Sequence, residues 1–481
     1  MENDGFHHEA YDGRRSRRTP IAVDIHFPRK QREAPSGLTK EQTRKTLKNS
    51  ILDGGAASVM SGLTGNYVTP YALTMQASTQ QIGYLSSIPN FANMLVLLVA
   101  PFLSERAGSR KSLVLPAVLA QALMWLPILA IPFLFHSNQV WWLIGFVTLS
   151  TAAGSLSGPP WSAMMADLIP MELRGRYLGV RNRINGFVAL VFSFVAGGLL
   201  QLLTGNVTLA FAIICGGAFA ARLSSFYFLS LMSEPHPSIA RPAIREGIPQ
   251  IARGLLSTTI GRFMVFTVFL NMAVNMGSPF FSAYVLRELK YSYISYQFIN
   301  AASAVVTLLA VTWWGRRADR AGSVKILRIT AVLIPFVPVM WLVSNSVYWM
   351  SFVQVYSGFV WAGFNLCAGL FVYDASPQEN RARYIALYGA LASIGNTLGS
   401  LAGGNLGPLL PRIAGSYFLT LFLVSGISRM VVVLLLLRLV SEVRDVQPVS
   451  TSDILFSGLR PAALAADVKS ARRRLGNIFR R

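Results

Sequence analysis

Asp167-Leu-Ile-Pro170-Met-Glu-Leu-Arg174-Gly-Arg176-Tyr177 and Asp374-Ala-Ser-Pro377-Gln-Glu-Asn-Arg381-Ala-Arg383-Tyr384 share five residue types at identical spacing, 207 positions apart. Each follows a long apolar run, so the same polar punctuation occurs twice at the same place in a hydrophobic pattern. The repeat extends outward. Ala196-Gly197-Gly198 returns as Ala402-Gly403-Gly404, Arg222 as Arg429, Ser233-Glu234 as Ser441-Glu442, and Pro70 as Pro279. The chain is therefore two copies of one unit in the same orientation.

Composition says what kind of unit. Of 481 residues, 53% are hydrophobic and 13% charged, where soluble domains carry about 25% charged residues. The mean hydropathy is +0.46, which excludes an ordinary soluble enzyme. The apolar residues fall into runs of about 20, enough for a helix to cross a ~30 Å hydrocarbon layer. Twelve spans are predicted, at roughly 51–75, 82–104, 112–134, 139–166, 178–203, 206–232, 260–286, 292–313, 325–344, 346–373, 384–410 and 416–440. The fold class is thus an all-α membrane protein of two six-helix bundles. The predicted organisation is a disordered polar tail (1–49), a first bundle (50–232), a linker (233–258), a second bundle (259–442) and a basic tail (443–481). Within the linker, Ile244 to Leu256 has helical spacing suited to a membrane surface. No signal peptide is seen, so the first span is expected to direct targeting.

Charge sets the expected orientation, since cationic loops are retained in the cytoplasm. With the N-terminus inside, only Arg287, Lys290 and Arg412 of the 43 Lys and Arg residues fall on the outer side, and Arg222 and Arg429 within spans. Both termini are expected to be cytoplasmic, in a multi-pass protein of the cell (plasma or inner) membrane. The net charge of +22 then lies along one membrane face against anionic lipid head groups, rather than marking a nucleic-acid binder. Arg472-Arg473-Arg474 and Arg480-Arg481 continue it. Cys215 and Cys367 sit in apolar runs and no His lies in a span, so neither a disulfide framework nor a metal site is expected. No G-x-x-x-x-G-K-[ST] loop occurs to hydrolyse ATP, and no cofactor is implied.

Six spans repeated in parallel resemble the major facilitator superfamily, whose halves are related by an axis along the membrane normal. The loops strengthen the resemblance. Gly315-Arg-Arg-Ala-Asp319-Arg320-Ala-Gly322 is similar to the superfamily's G-x-x-x-D-R-x-G signature. Pro101-Phe-Leu-Ser-Glu105-Arg106-Ala-Gly108-Ser-Arg110-Lys111 keeps its charge order, with Pro for the first Gly and Glu for Asp. The resemblance covers about residues 50–442. It implies a secondary active transporter of small organic solutes working by alternating access. The alternative is a receptor or scaffold of the same fold that moves nothing. The residues leave uptake and efflux open.

The resemblance also implies which residues matter. Glu105, Arg106, Arg110, Asp167 and Arg174 would form one cytoplasmic latch, and Asp319, Arg320, Asp374, Arg381 and Arg383 the related one. Spans 1, 4, 7 and 10 would be central, so Asn66, Tyr67, Trp161, Asn271, Asn275, Trp361 and Asn365 are the expected cavity residues. Helix-to-helix bonding is the alternative role for each. Pro159-Pro160 beside Trp161 predicts a break in span 4. Gly395, Gly399, Gly403 and Gly407 allow close helix approach, either for sliding or for static packing without motion. Asp53 is the only acid within a span and the candidate for proton coupling, with an ion pair to Arg262 or helix capping as alternatives. Arg222 and Arg429 would favour an anionic substrate if they faced the cavity, but their places on peripheral spans point to packing or snorkelling. The expected substrate is a neutral or amphipathic molecule.

Overall fold

The computed structural model describes residues 38–106, 108–234, 257–377 and 381–443. Apart from an isolated bridge between Ile413 and Ser416, the described residues form helices and short connections. Among the described residues, eleven helical units are long and apolar enough to cross a membrane, and the twelfth crossing is the first, less apolar unit. The protein is an integral, multi-pass membrane protein, with each predicted span matched by a helical unit.

Helix α1 comprises Lys40–Thr64 and, after a break, Val68–Thr74. It begins well before the apolar stretch at 51, so residues 40–49, read from sequence as tail, are helical. The cause is local. Thr39 and Gln42 form a reciprocal capping box that satisfies two otherwise orphaned backbone N–H groups, while Leu47 and Ser50 are buried. Next come α2 (Thr79–Arg106), α3 (Lys111–Leu134), α4 (Gln139–Leu168), α5 (Met171–Leu202) and α6 (Val207–Ser230). The second half holds α7 (Thr259–Glu288), α8 (Tyr293–Ala321), α9 (Ser323–Met340), α10 (Val347–Ala375), α11 (Arg381–Leu406) and α12 (Tyr417–Leu436).

Two features depart from a plain reading of helices. The break expected in α4 does not occur: Pro159 and Pro160 lie inside a continuous helix, as membrane helices allow when neighbours pack around the missing hydrogen bonds. By contrast α1 and α7 do break, at repeat-related places. In α7 the regular helix stops at Asn275, and a 3-10 turn, Ser278–Phe280, carries Pro279. A π turn, Tyr284–Glu288, completes the unit.

The near end is where the described chain enters at Leu38 and leaves at Val443; the far end is opposite. Toward the far end one apolar core runs through both halves, joining Tyr71, Ile128 and Phe211 to Phe280, Tyr284, Trp341 and Phe418. Elsewhere the core divides. Leu47, Val114, Met164 and Tyr177 pack together within the first half, and Phe263, Trp314, Phe364 and Phe371 within the second. The halves thus share hydrophobic packing chiefly at the far end. The basic tail, the Ile244 to Leu256 segment and most of the polar N-terminal tail lie outside the described residues.

Candidate functional site

Two antiparallel helix pairs join the halves. Along α2 and α11 the contact is a ladder of small and amide side chains. Gln80 Nε2 donates to Asn405 Oδ1 at 2.6 Å, and the Ser86 and Ser400 hydroxyls bond at 2.9 Å. Asn396 Nδ2 donates to Asn90 Oδ1 at 3.3 Å, and Asn93 Nδ2 to Ser393 Oγ at 2.8 Å. Gly83 meets Gly404 backbone to backbone. From Gln80 to Asn93 this ladder covers about 20 Å at 1.5 Å per residue. The second seam joins α5 and α8. Tyr67 lies 2.8 Å from both the Ser193 carbonyl and Gln297 Oε1 and shares its proton between them. Gln297, fully buried, donates to Ser193 Oγ at 2.6 Å. Sequence reasoning singled out Tyr67, as a cavity residue, but not the hydrogen-bonding side chains of the α2–α11 ladder. Their signal was a polar stripe at helical spacing on both partners: Ser86, Asn90, Asn93 and Ser393, Asn396, Ser400.

Where α1 and α7 break, a chamber of about 370 Å³ opens, and most of its wall comes from the second half. Asn66 in the α1 break faces Asn300 of α8, Gln354 and Trp361 of α10, Trp341 beyond α9, and Arg429 of α12. The α7 break contributes Gly277, Ser278 and Phe281. Tyr296 ties the two breaks together, bonding the Ser282 hydroxyl at 2.7 Å and donating to the Asn66 carbonyl at 3.0 Å. The placement of Arg429 differs from that expected of a peripheral span. It lines the chamber, is 3% exposed and donates to the Val274 carbonyl at 3.3 Å.

The other expected cavity residues are spread out. Asn66 and Trp361 line the chamber, and Tyr67 belongs to the α5–α8 seam. Asn271 donates to the Thr267 carbonyl. Asn275 donates to the Asn271 carbonyl and to Asn396 Oδ1, which links α7 to the α2–α11 ladder. Trp161 lies under the Arg181 guanidinium at 4.1 Å, and Asn365 is exposed outside the chamber.

Asp53 sits in a buried polar knot. Its Oδ2 is 3.5 Å from Arg181 of α5, and its Oδ1 accepts from Ser225 of α6 at 2.7 Å. Ser225 in turn accepts from Arg222 at 3.0 Å. Arg181 also donates to the Ser50 carbonyl. One carboxylate therefore connects α1, α5 and α6 within the first half. Arg181 and Ser225 were not legible as its partners, because they arrive from other helices.

At the near end the residues expected to form latches have varied partners. Arg110 pairs with Asp167 within the first half. Glu234 accepts from the Ser109 hydroxyl and the Arg110 backbone N–H, and Glu442 accepts from the Val324 N–H, so the repeated Ser-Glu anchors α3 and α9. Arg174 donates to the Ala166 carbonyl at 2.6 Å. Arg106 stacks on Phe102 and Arg381 on Tyr373, while Asp319 and Arg320 are exposed. Asp374 and Arg383 also engage neighbours. The Glu105 side chain lies outside the described residues. No cluster of His, Cys, Asp or Glu among the described residues is arranged to hold a metal ion.

Residues 54–280 and 263–476 each match the model of the Major Facilitator Superfamily. The chain belongs to that superfamily. It is thus a member of a transporter family and not an enzyme. Among curated proteins it is similar to human monocarboxylate transporter 6, 27% identical over 188 residues, which are 38% of this chain and 36% of that protein. The match therefore spans about a third of that relative's length. Two solved structures share the superfamily fold. A variant of the nucleoside transporter NupG has a TM-score of 0.66 at 12% identity, over 82% of this chain and all of that one. The D-xylose-proton symporter has a TM-score of 0.62 at 15% identity, over 83% and 97%.

Proposed function

We propose that the chain is a secondary active transporter of small organic solutes that works by alternating access, with the chamber at the α1 and α7 breaks as part of its solute path. The observation that carries this reading is the chemistry of the α2–α11 seam. Hydrogen bonds among Ser and Asn side chains can be exchanged for bonds to water at little net cost, and small residues let one helix slide over another. A permanently fused interface would be served as well by large apolar side chains. The conformation described is closed at the far end, and opening there would separate α2 from α11 and α5 from α8. The scaffold alternative has no need of a seam that can part.

Asp53 is the proposed coupling group. Protonation would end its ion pair with Arg181 and loosen the joint among α1, α5 and α6. The D-xylose-proton symporter supplies a precedent for proton coupling on this fold, and human monocarboxylate transporter 6 for a carboxylate as solute. Anionic lipid along the basic near face, and a cytoplasmic position for both tails, complete the reading.

The test uses reconstituted vesicles and counterflow of radiolabelled nucleosides, pentoses, amino acids and carboxylates. At least one class should exchange. In the variant Ser86→Cys/Ser400→Cys, built on hydroxyls 2.9 Å apart, oxidation should stop that exchange and reductant restore it. Cys215 and Cys367 are both buried and should not interfere. Undiminished exchange through a fully cross-linked protein would sink alternating access across this seam; no exchange of any class would return weight to the scaffold.

A further inference from the structure

The two halves treat their repeated arginine differently, and the difference points to a ligand. Arg222 and Arg429 hold corresponding places in α6 and α12. In the first half, Arg222 has an acid within reach: it donates to Ser225, which donates to Asp53. The position corresponding to Asp53 in the second half, counted from Pro70 and Pro279, is Arg262. Repetition has therefore kept the cation and replaced the acid. Among the described residues, no Asp or Glu lines the chamber that Arg429 borders. The Nε of each arginine lacks a hydrogen-bond partner among the described residues, so the difference between them is the acid, and Arg429 is only 3% exposed.

A guanidinium withdrawn from water without a counter-charge is costly, and in a membrane protein such a group by default marks a functional site. Snorkelling does not relieve it, because its guanidinium Nη2 donates to the Val274 carbonyl beside the α7 break and the side chain is buried. We infer that the missing anion is the solute: the chamber binds an organic monoanion whose carboxylate pairs with Arg429. A planar carboxylate suits the guanidinium fork. The rest of the wall describes the remainder of the molecule. Trp341, Trp361, Phe281 and Phe422 offer aromatic surface, while Asn66, Asn300 and Gln354 offer neutral polar groups. The solute is accordingly a carboxylate on a compact aromatic or other apolar body. Such a solute is the amphipathic one of the two kinds expected from sequence, and Arg429 adds the charge that the cavity was read as lacking.

The inference rests on the transport reading for its role but not for its binding test. Full-length protein in lipid nanodiscs is titrated with benzoate and phenylacetate, with their amides benzamide and phenylacetamide, and with inorganic phosphate. Thermal stability and equilibrium binding are both followed. The carboxylates should raise the melting temperature and the amides should not. Arg429→Gln should weaken carboxylate binding about thirtyfold or more, the usual consequence of truncating a buried charge pair, while Arg429→Lys should retain part of it. The acid–amide comparison on the unaltered protein decides the matter if Arg429→Gln fails to fold. Equal response to acid and amide, response to phosphate alone, no response to any carboxylate, or undiminished benzoate binding by folded Arg429→Gln each overturns the inference. Carboxylate binding without counterflow would keep the anion site and remove the transport reading. Counterflow of a neutral solute without carboxylate binding would do the reverse.

Discussion

Asp53 shows how far a single residue can be read from sequence. An acid in an otherwise apolar span must be paired, protonated or functional, and that much was legible. Its partners were not, because Arg181 and Ser225 lie on α5 and α6 and only tertiary packing brings them together. The pairing yields a specific expectation. Asp53→Asn removes the charge but keeps the size and the hydrogen bond from Ser225. Counterflow, which needs no gradient, should persist, whereas accumulation driven by an imposed pH gradient should fall at least tenfold. Full gradient-driven accumulation by this variant would show that coupling lies elsewhere. Arg222 and Arg429 make the converse point. The family resemblance implies peripheral spans for both, yet only the structure shows that one is engaged with an acid's partner and the other borders a chamber.

At the scale of the helix, α11 is held on two sides. A Cβ on Gly395, Gly399 or Gly403 would strike the backbone carbonyls of Val268, Met272 and Met276 in α7, so the four-residue glycine spacing is a close-packing seam within the second half. Gly407, the fourth in the series, lies in a 3-10 turn with only ordinary contacts around it. The sequence pattern thus identified the close approach and overextended it by one turn. Gly399→Val forces α7 and α11 apart and should cost about 2–3 kcal/mol as overpacking, lowering the melting temperature of the purified protein. Gly407→Ala should leave it nearly unchanged. Equal effects would mean that backbone proximity is not what the glycines provide. The start of α1 was misread for a different reason: hydropathy does not register a capped polar helix such as residues 40–49, although Thr39 and Gln42 carried the capping signature.

For the whole molecule, the internal repeat was the most informative feature, because it specifies six crossings per half and both chain ends on one face without reference to any relative. The hydrogen-bonded seams are less legible, since a polar stripe on one helix does not name its partner. The distribution of Lys and Arg predicts that this shared face is cytoplasmic. Single cysteines placed in the two tails of a Cys215→Ser/Cys367→Ser background should react with a membrane-impermeant maleimide only after cells are opened; labelling of either tail in intact cells would reverse the orientation. The lopsided chamber has a further consequence. The two halves differ in kind: the first holds a buried knot of one carboxylate and two guanidiniums, Asp53 with Arg181 and Arg222, while the second supplies most of the chamber wall. If the chamber takes the solute and Asp53 the proton, as proposed, selectivity should behave as a portable property of residues 259–443, retuned by grafting that half from a relative while the first half is left in place.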